Sequence, residues 1–471
     1  YHLLFSAHDA NVLYATFNNH KRGDFKPYLM KSADKGATWT AIDTGLPERG
    51  STYCIAEDHE DPNLLFAGTE FGVHYSIDGG ANWKPLSGGL PTIAVRDMAI
   101  QKRENDLVLA TFGRGFQVLD DYSPLRQLKS LAGKETALFP VKDAWMYHER
   151  SPLGIRGKGF MGESYYQAEN PKVGAVFTWF NRQEYKSAKE QRQSKEREAA
   201  KAGKDTPYPS YETLKAEQEE EKPYFVFTVK NSKGETVRKL RADIRKGVQR
   251  IVWDFRTPTT SPVNINAASN DNVFMNNDVG HLVAPGTYSV TLSKYEGGKL
   301  TEVSGPVSFK VKLLPGNSLP AADPVAAEAW TNRVFELRRA AEGASNMMAD
   351  AQNKVKHYRA ALMSIPASAD LFMPAILQAE SDLRKLSEQF YGDNVKGRLD
   401  IDTPPSVMSR LYNALYDGYG STGSPTTTMQ EELTLAAADF EVVLKDLKRI
   451  WTERLLQLEQ QLEAAGAPHT P

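Results

Sequence analysis

The residues able to do chemistry are few and scattered. Nine histidines (His2, His8, His20, His59, His74, His148, His281, His357, His469) occur singly, none with a second ligand at metal-binding spacing. One cysteine, Cys54, excludes a disulfide framework and any cysteine-held zinc. Its apolar setting, Tyr53-Cys54-Ile55-Ala56, marks it as a small buried hydrophobe. No nucleophile elbow, Walker loop or dinucleotide turn is present, and Gly113-Arg114-Gly115 is too short to cradle a phosphate. No cofactor is expected. Carboxylates remain. A glycosidase needs two carboxyls ~5–9.5 Å apart, and Glu70 with Asp97 or Glu48 could form half of such a pair. The competing reading makes Glu70 and Arg114 an ion pair lining a channel.

Two other aspartates, Asp34 and Asp78, belong to an internal repeat. Ser32-Ala33-Asp34-Lys35-Gly36-Ala37-Thr38-Trp39 matches Ser76-Ile77-Asp78-Gly79-Gly80-Ala81-Asn82-Trp83, 44 residues on. In each copy Ser-x-Asp-x-Gly reads as a hairpin turn. The carboxylate accepts backbone N–H groups across it, Gly36 or Gly80 takes positive φ, and Trp39 or Trp83 points between sheets. These aspartates are therefore structural. Each box lies between short apolar strands, and a further strand precedes it: Val12–Thr16 and Leu64–Thr69. A third copy, Asp106–Thr111 with Gly115–Leu119, continues the period without its box. Four short strands per ~44 residues is the pattern of β-propeller blades.

That topology gathers the remaining polar candidates. The box lies on the connection between the third and fourth strands. The second-to-third and inter-blade connections open on the opposite face. There the binding candidates are His20, Arg22, Arg49, Arg96 and Arg114, beside Glu48, Glu70 and Asp97. The first of these loops is also longer, 19 residues from strand Leu13 to box Ser32 against 11 from Leu65 to Ser76. Three blades cannot close a ring, since propellers typically have about 4–8. The chain opens at Tyr1, without Met and within a strand-like pattern, so the other blades are expected upstream or in another chain.

The expected fold is multidomain, mainly β and then α. Residues 1–125 are the last blades of the propeller and 126–165 a linker with turn formers at Ser151-Pro152, Gly154, Gly157 and Gly159. Residues 166–314 read as an immunoglobulin-like or fibronectin-like β-sandwich, with strands near 173–180, 224–229, 236–240, 248–254, 285–292 and 307–311. Its insertion 182–222 holds 20 charged residues in 41 and reads as a solvated helical arm with Lys186/Glu190 and Arg192/Glu196 pairs. The Asn-rich loop Asn264–Asp278 could offer oxygen ligands to Ca²⁺, but asparagine clusters ordinarily cap turns and no metal is expected. Residues 320–471 read as an antiparallel helix bundle. Its seams run from Trp330 to Leu362, from Phe372 to Phe390, and through Leu433, Ala437, Phe440, Leu444, Leu447, Trp451, Leu455, Leu458 and Leu462.

Composition narrows the class. The 471 residues are 41% hydrophobic, enough for sizeable cores, with 57 Lys+Arg against 59 Asp+Glu. No basic excess points to nucleic acid, and no apolar run reaches membrane-spanning length.

The boxes resemble the Asp-box, or bacterial neuraminidase repeat (BNR), of sialidases, xyloglucanases and sortilins. The phrases around Gly234, Trp253-Asp254 and Pro285-Gly286-Thr287-Tyr288 resemble the immunoglobulin-like domain of flagellar hook-capping proteins. Taken with Leu107–Gly115, Leu119-Asp120-Asp121 and Leu462–Pro468, the whole order is similar to large exported bacterial proteins described as sortilin-like or BNR-repeat glycosyl hydrolases. Phe112 departs from that pattern, which often has His there. The resemblance implies an extracytoplasmic location and a larger propeller. The expected function is a non-catalytic binding or scaffold protein for a protein or glycan partner. The alternative is a glycoside hydrolase similar to xyloglucanases, with most catalytic residues upstream.

Overall fold

The computed structural model describes residues 1–148, 168, 170–263, 279–316, 319–366, 369–416 and 421–470. The turn formers expected between Ser151 and Gly159, and the loop Asn264–Asp278, lie outside them. The chain divides into two compact units. One comprises Tyr1–Pro140, Phe177–Pro223 and Ile244–Arg250; the other comprises Val141–Val176, Tyr224–Asp243 and Ile251–Pro471.

The first unit opens with three antiparallel sheets in sequence order. β1 (His2–Phe5), β2 (Leu13–Asn19), β3 (Asp24–Ser32) and β4 (Thr40–Ala41) form the first, neighbour to neighbour. β5 (Thr52–Glu57), β6 (Leu65–Thr69), β7 (Gly72–Ser76) and β8 (Lys84–Pro85) form the second. β9 (Val95–Gln101), β10 (Asp106–Thr111) and β11 (Phe116–Leu119) form the third, with three strands. Strand alternation gives each sheet two faces. Ile55, Leu65, Ala67 and Trp83 of the second sheet pack with Tyr14, Leu29 and Leu46. Cys54, Ala56, Phe66 and Val73, on its other face, pack with Val95, Leu107 and Leu109 of the third. Each large side chain buried there contributes about 1.5–3 kcal/mol.

The two boxes have the same internal bonding. Ser32 Oγ donates to Asp34 Oδ1 at 2.7 Å and accepts from the Gly36 N–H at 2.8 Å; Asp34 accepts from the N–H and hydroxyl of Thr38 at 2.8 and 2.6 Å. Ser76, Asp78, Gly80 and Asn82 repeat this at 2.6, 3.0, 2.9 and 2.9 Å. Gly36 and Gly80 sit at φ 88° and 94°, in the left-handed region. The tryptophans differ. Trp83 is buried, and its Nε1 donates to the Ile42 carbonyl of the first sheet at 2.6 Å. Trp39, expected between sheets, is exposed instead, with Nε1 turned back to Gly36 O at 3.0 Å. Among the described residues no sheet packs over its side chain.

A second clamp follows the third sheet. The chain turns into a 3₁₀ stretch, Ser123–Leu131, from which Arg126 reaches the buried Asp58 in two bonds of 2.7 Å. The Tyr122 hydroxyl donates to the same carboxylate at 2.6 Å, and Arg126 also meets Glu60 and Asn105, both at 2.7 Å. Burial alone would raise the Asp58 pKa, but the Arg126 and Tyr122 bonds outweigh it and hold the carboxyl below its usual range.

Eight further strands follow: β12 (Thr136–Leu138), β13 (Ala144–Met146), β14 (Ala175–Asn181), β15 (Tyr224–Asn231), β16 (Thr236–Asp243), β17 (Gly247–Trp253), β18 (Gly286–Glu296) and β19 (Lys299–Leu313). The stretch expected as a linker thus carries β12 and β13. β12, β14 and β17 form a three-stranded sheet, and a five-stranded sheet runs β13-β19-β18-β15-β16. Phe225, Phe227, Tyr288, Val290 and Phe309 of the larger sheet are buried, and Trp253 meets Tyr288 and Phe255 edge-on.

The charged insertion is a helical hairpin, α1 (Ala188–Lys201) and α2 (Tyr211–Glu219), with no buried residue in either helix. Arg192 joins Glu217 at 2.6 and 2.8 Å and the expected Glu196 at 2.7 Å. The expected Lys186/Glu190 pair gives way to a capping box, in which Glu190 accepts from the Ser187 N–H at 2.8 Å.

The helical part of the second unit comprises α3 (Pro324–Ala361), α4 (Met373–Tyr391), α5 (Asn394–Arg398), α6 (Val407–Tyr416), α7 (Thr427–Arg449) and α8 (Leu456–Ala464). Asp323 caps α3 as expected, accepting from the Val325 and Ala326 N–H groups at 3.0 Å. The last seam differs from expectation. Leu433, Ala436, Phe440, Val443, Leu447 and Ile450 are buried, while Ala437 is exposed and Leu444 and Trp451 are only partly buried. A π-helical turn at Ile450–Leu455 widens the helix there, so burial resumes at Leu455, Leu458 and Leu462.

Two predictions follow from this anatomy. Replacing 187–219 with a short Gly/Ser loop should cost less than about 2 kcal/mol, because the hairpin buries almost no apolar surface. A larger drop in thermal unfolding would show that it packs against something. Asp78→Ala should cost about 1–2 kcal/mol, as capping losses do, and more than Asp34→Ala, because only the Asp78 turn aims a packed tryptophan. For Asp34, the Thr38 hydroxyl, the Thr38 N–H and Ser32 pull the pKa down to about 2. For Asp78, burial opposes the shift, but the Ser76 and Asn82 bonds also bring it to about 2. A depressed carboxylate stabilises the fold above its unfolded pKa, so both contributions should persist above about pH 4 and fade toward pH 2. Equal melting of the two alanine variants would contradict this assignment.

Candidate functional site

The end of the sheets opposite the boxes carries two β-bulges, one on the first strand of the second sheet and one on the first strand of the third. Between the pairs Thr52↔Thr69 and Cys54↔Gly68, β5 carries one extra residue, Tyr53. Between Val95↔Thr111 and Asp97↔Ala110, β9 carries one extra residue, Arg96. A bulge frees one residue from the ladder and re-aims its side chain. The Arg96 guanidinium lies 3.9 Å from the Tyr53 ring centroid and 5.1 Å from that of Phe112. The Tyr53 hydroxyl donates to the Glu70 carboxylate. Burial, followed by that bond, pushes the Tyr53 phenol up to about 12, so it remains a donor across the physiological range. Arg96 Nε is buried without a hydrogen-bond partner, and no described carboxylate pairs with the guanidinium.

Exposed phenylalanines crown this cluster. Phe17 and Phe25 flank the β2–β3 turn, Phe71 stands on the β6–β7 turn, and Phe112 and Phe116 flank the β10–β11 turn. The inter-blade loop joins the first two tips. The Gly50 N–H donates to Phe25 O at 2.8 Å, and a Cβ on Gly50 would stand 3.0 Å from the Phe71 ring. Arg49 lies 5.6 Å from the Phe25 ring centroid. Each of the three sheets therefore presents bare aromatic rings at this end.

The candidate residues are distributed unevenly. Glu70 and Arg96 share the cluster through Tyr53. The expected Glu70–Arg114 ion pair does not form: Glu70 is taken by Tyr53, and Arg114 is exposed without an ion pair among the described residues. Asp97 alternates away from Met98 and Ile100, which pack into the second–third sheet core, and its carboxylate accepts from the Met98 N–H at 2.9 Å. Glu48 and Arg22 are exposed, and His20 Nδ1 lies 2.8 Å from Asn18 Oδ1 on a 3₁₀ turn. Glu70 and Asp97 thus bond different partners, and Glu48 is exposed. Cys54 is buried as expected, its thiol pushed up to about 12 chiefly by burial. Among the described residues no His, Cys, Asp and Glu cluster could hold a metal.

Sequence reasoning missed Tyr53, Phe112 and the Asp58–Arg126 clamp. Tyr53 and Arg96 stand at corresponding points of their sheets, so aligning strands instead of boxes would have paired them. Arg126 lay in a stretch read as linker, and nothing local marked its partner 68 residues earlier.

No protein-family model and no curated protein matches this sequence. Among solved structures it is similar to an ancestral GH74 enzyme, at 11% identity and TM-score 0.21, over 64% of this chain and 35% of that one. It is similar to the GH74 xyloglucanase from Xanthomonas campestris at 11% identity and TM-score 0.19, over 69% and 31%. It is also similar to an extracellular domain from B. thetaiotaomicron at 12% identity and TM-score 0.20, over 67% and 31%. The chain spans about a third of the length of each of these three. Likeness at such TM-scores bears on neither substrate nor reaction.

Proposed function

We propose that the chain is a binding part of an extracytoplasmic Asp-box propeller protein of the sortilin-like kind, with the immunoglobulin-like and helical parts as accessory modules. Its ligand is a polypeptide segment that carries both acidic and apolar side chains. The observation that supports this most is Arg96, a cation held between Tyr53 and Phe112 with no carboxylate of its own among the described residues. Fixed in a half-buried aromatic slot, a guanidinium is pre-organised for an incoming carboxylate. The rings around it favour peptide over sugar. Phe25, Phe71 and Phe112 offer apolar area without the hydroxyl or indole N–H that Tyr and Trp bring to a polar ligand. The hydrolase alternative requires two carboxyls flanking one bond, and Glu70 and Asp97 are turned to different partners.

The reading is tested by titrating the chain with a synthetic peptide alternating Glu and Leu, and in parallel with xyloglucan. The peptide should bind, more weakly as salt rises. Arg96→Met should weaken it about tenfold or more, as expected for a lost charge-assisted bond of about 1.5–3 kcal/mol. Glu70→Gln should retain binding, since Glu70 contacts the slot only through Tyr53. Release of reducing ends from xyloglucan, or peptide binding indifferent to Arg96, would overturn the proposal.

A further inference from the structure

The helical part of the second unit contains a cleft of about 410 Å³, within the size range of small-molecule sites. Residues three and four apart share a helix face, and two such faces wall it. Gln352, Val355 and Lys356 come from α3; Arg384, Ser387 and Glu388 come from α4. Val355 and Leu383, each 1% exposed, are core residues that give the cleft an apolar floor.

Its charges differ from those around it. Elsewhere on the same two helices, Lys354 meets Glu459 at 2.9 Å, Arg359 meets Glu380 at 2.8 Å, and Asp382 meets Arg454 at 3.1 Å. Lys356, Arg384 and Glu388, which line the cleft, make no ion pair among the described residues. The side chains of Gln352 and Ser387 likewise make no hydrogen bond among them. The two other carboxylates of the lining are spent. Glu380 is held by Arg359, and Asp393 accepts from the Val395 and Lys396 N–H groups at 2.9 and 3.1 Å. Two cations and one anion over an apolar floor are thus left for a ligand, which is a demand for a zwitterion and not for a simple acid.

Spacing narrows the class. The contacts Arg359–Glu380 and Ser345–Tyr391 run antiparallel between α3 and α4, which puts Lys356 within one turn of Arg384. Glu388 stands four residues beyond Arg384, about 6 Å along the helix axis. A free α-amino acid carries its ammonium and carboxylate on one residue, too close to span that step. In an extended dipeptide they are two residues apart, about 6–7 Å.

We propose that this cleft binds a zwitterionic dipeptide with apolar side chains. Its carboxylate meets Lys356 and Arg384, its ammonium meets Glu388, and its peptide group meets Gln352 and Ser387. Its side chains lie on Val355 and Leu383, where they leave water. The site is built from the second unit alone and is independent of the aromatic rim around Arg96.

The test titrates the full chain with Leu-Leu by calorimetry, beside free leucine, acetyl-Leu-Leu and Leu-Leu-amide. Leu-Leu should bind one to one, about tenfold or more tightly than each of the others. Arg384→Gln should weaken Leu-Leu about tenfold and leave the amide unchanged. Glu388→Gln should weaken Leu-Leu similarly and leave the acetylated form unchanged. Both positions are exposed, so neither substitution should shift thermal unfolding. Leu-Leu that fails to saturate, or that binds no better than leucine or the blocked peptides, would overturn the proposal. Binding indifferent to both substitutions would place the peptide elsewhere on the chain, and that too would overturn it.

Discussion

A sheet with apolar residues on both faces is stable in water only when both are covered, and the second sheet shows what that requires. β6, Leu65-Phe66-Ala67-Gly68-Thr69, is buried at every position, sending Leu65 and Ala67 to one neighbour and Phe66 to the other. Such a strand has no polar face to offer solvent, unlike the half-buried strands of a two-layer domain. The flanking sheets, the box turns and the clamps at Asp58 and Trp83 all serve this arrangement. Where Gly68 passes Cys54 and Val95, a Cβ would lie 2.5 Å from the sulfur and 2.8 Å from the Val95 carbonyl. Packing this close explains why a small, inert thiol occupies position 54.

The same close packing creates the rim. Neighbouring sheets pressed together leave little freedom for side chains along the strands, so variety enters where the ladder breaks. The bulges at Tyr53 and Arg96 fall at the first turns of β5 and β9, on the end away from the boxes. The boxes define one end by tight, self-satisfied turns. The other end is left to longer connections and bare rings. Structural aspartates and candidate binding residues are thereby separated along each sheet.

Much of this was legible in the sequence because it is local or periodic. The boxes, their bonding and their glycine conformations follow from seven residues each, 32–38 and 76–82. The strands after residue 170 and the cap at Asp323 follow from alternation and turn chemistry. The misses are non-local. Ahead of the π turn at Ile450–Leu455 the buried seam runs through Ala436 and Val443, and the five-residue step from Ile450 to Leu455 is one that a heptad count cannot contain. Trp39 and Trp83 have the same local sequence and different environments, because a box fixes its own turn but not the presence of a neighbour. Arg96 was recognised as a rim residue, but its partners were not: the Tyr53 bulge depends on register and Phe112 arrives from another hairpin.

Two arginines in the same unit show what separates a structural cation from an available one. Arg126 is surrounded by groups that satisfy it: two bonds to Asp58, one to Asn105 and an ion pair with Glu60. Removing either Arg126 or Asp58 would strand the other as a buried charge, so the pair is a lock. Arg96 is held as firmly, but by the faces of two aromatic rings, which orient a guanidinium without neutralising it. Glu70, the carboxylate joined to the same tyrosine, is occupied by the Tyr53 hydroxyl. Rings fix position and leave Arg96 Nε without a hydrogen-bond partner and the fork without an ion pair among the described residues. That asymmetry, more than the fold, distinguishes the rim from the rest of the surface.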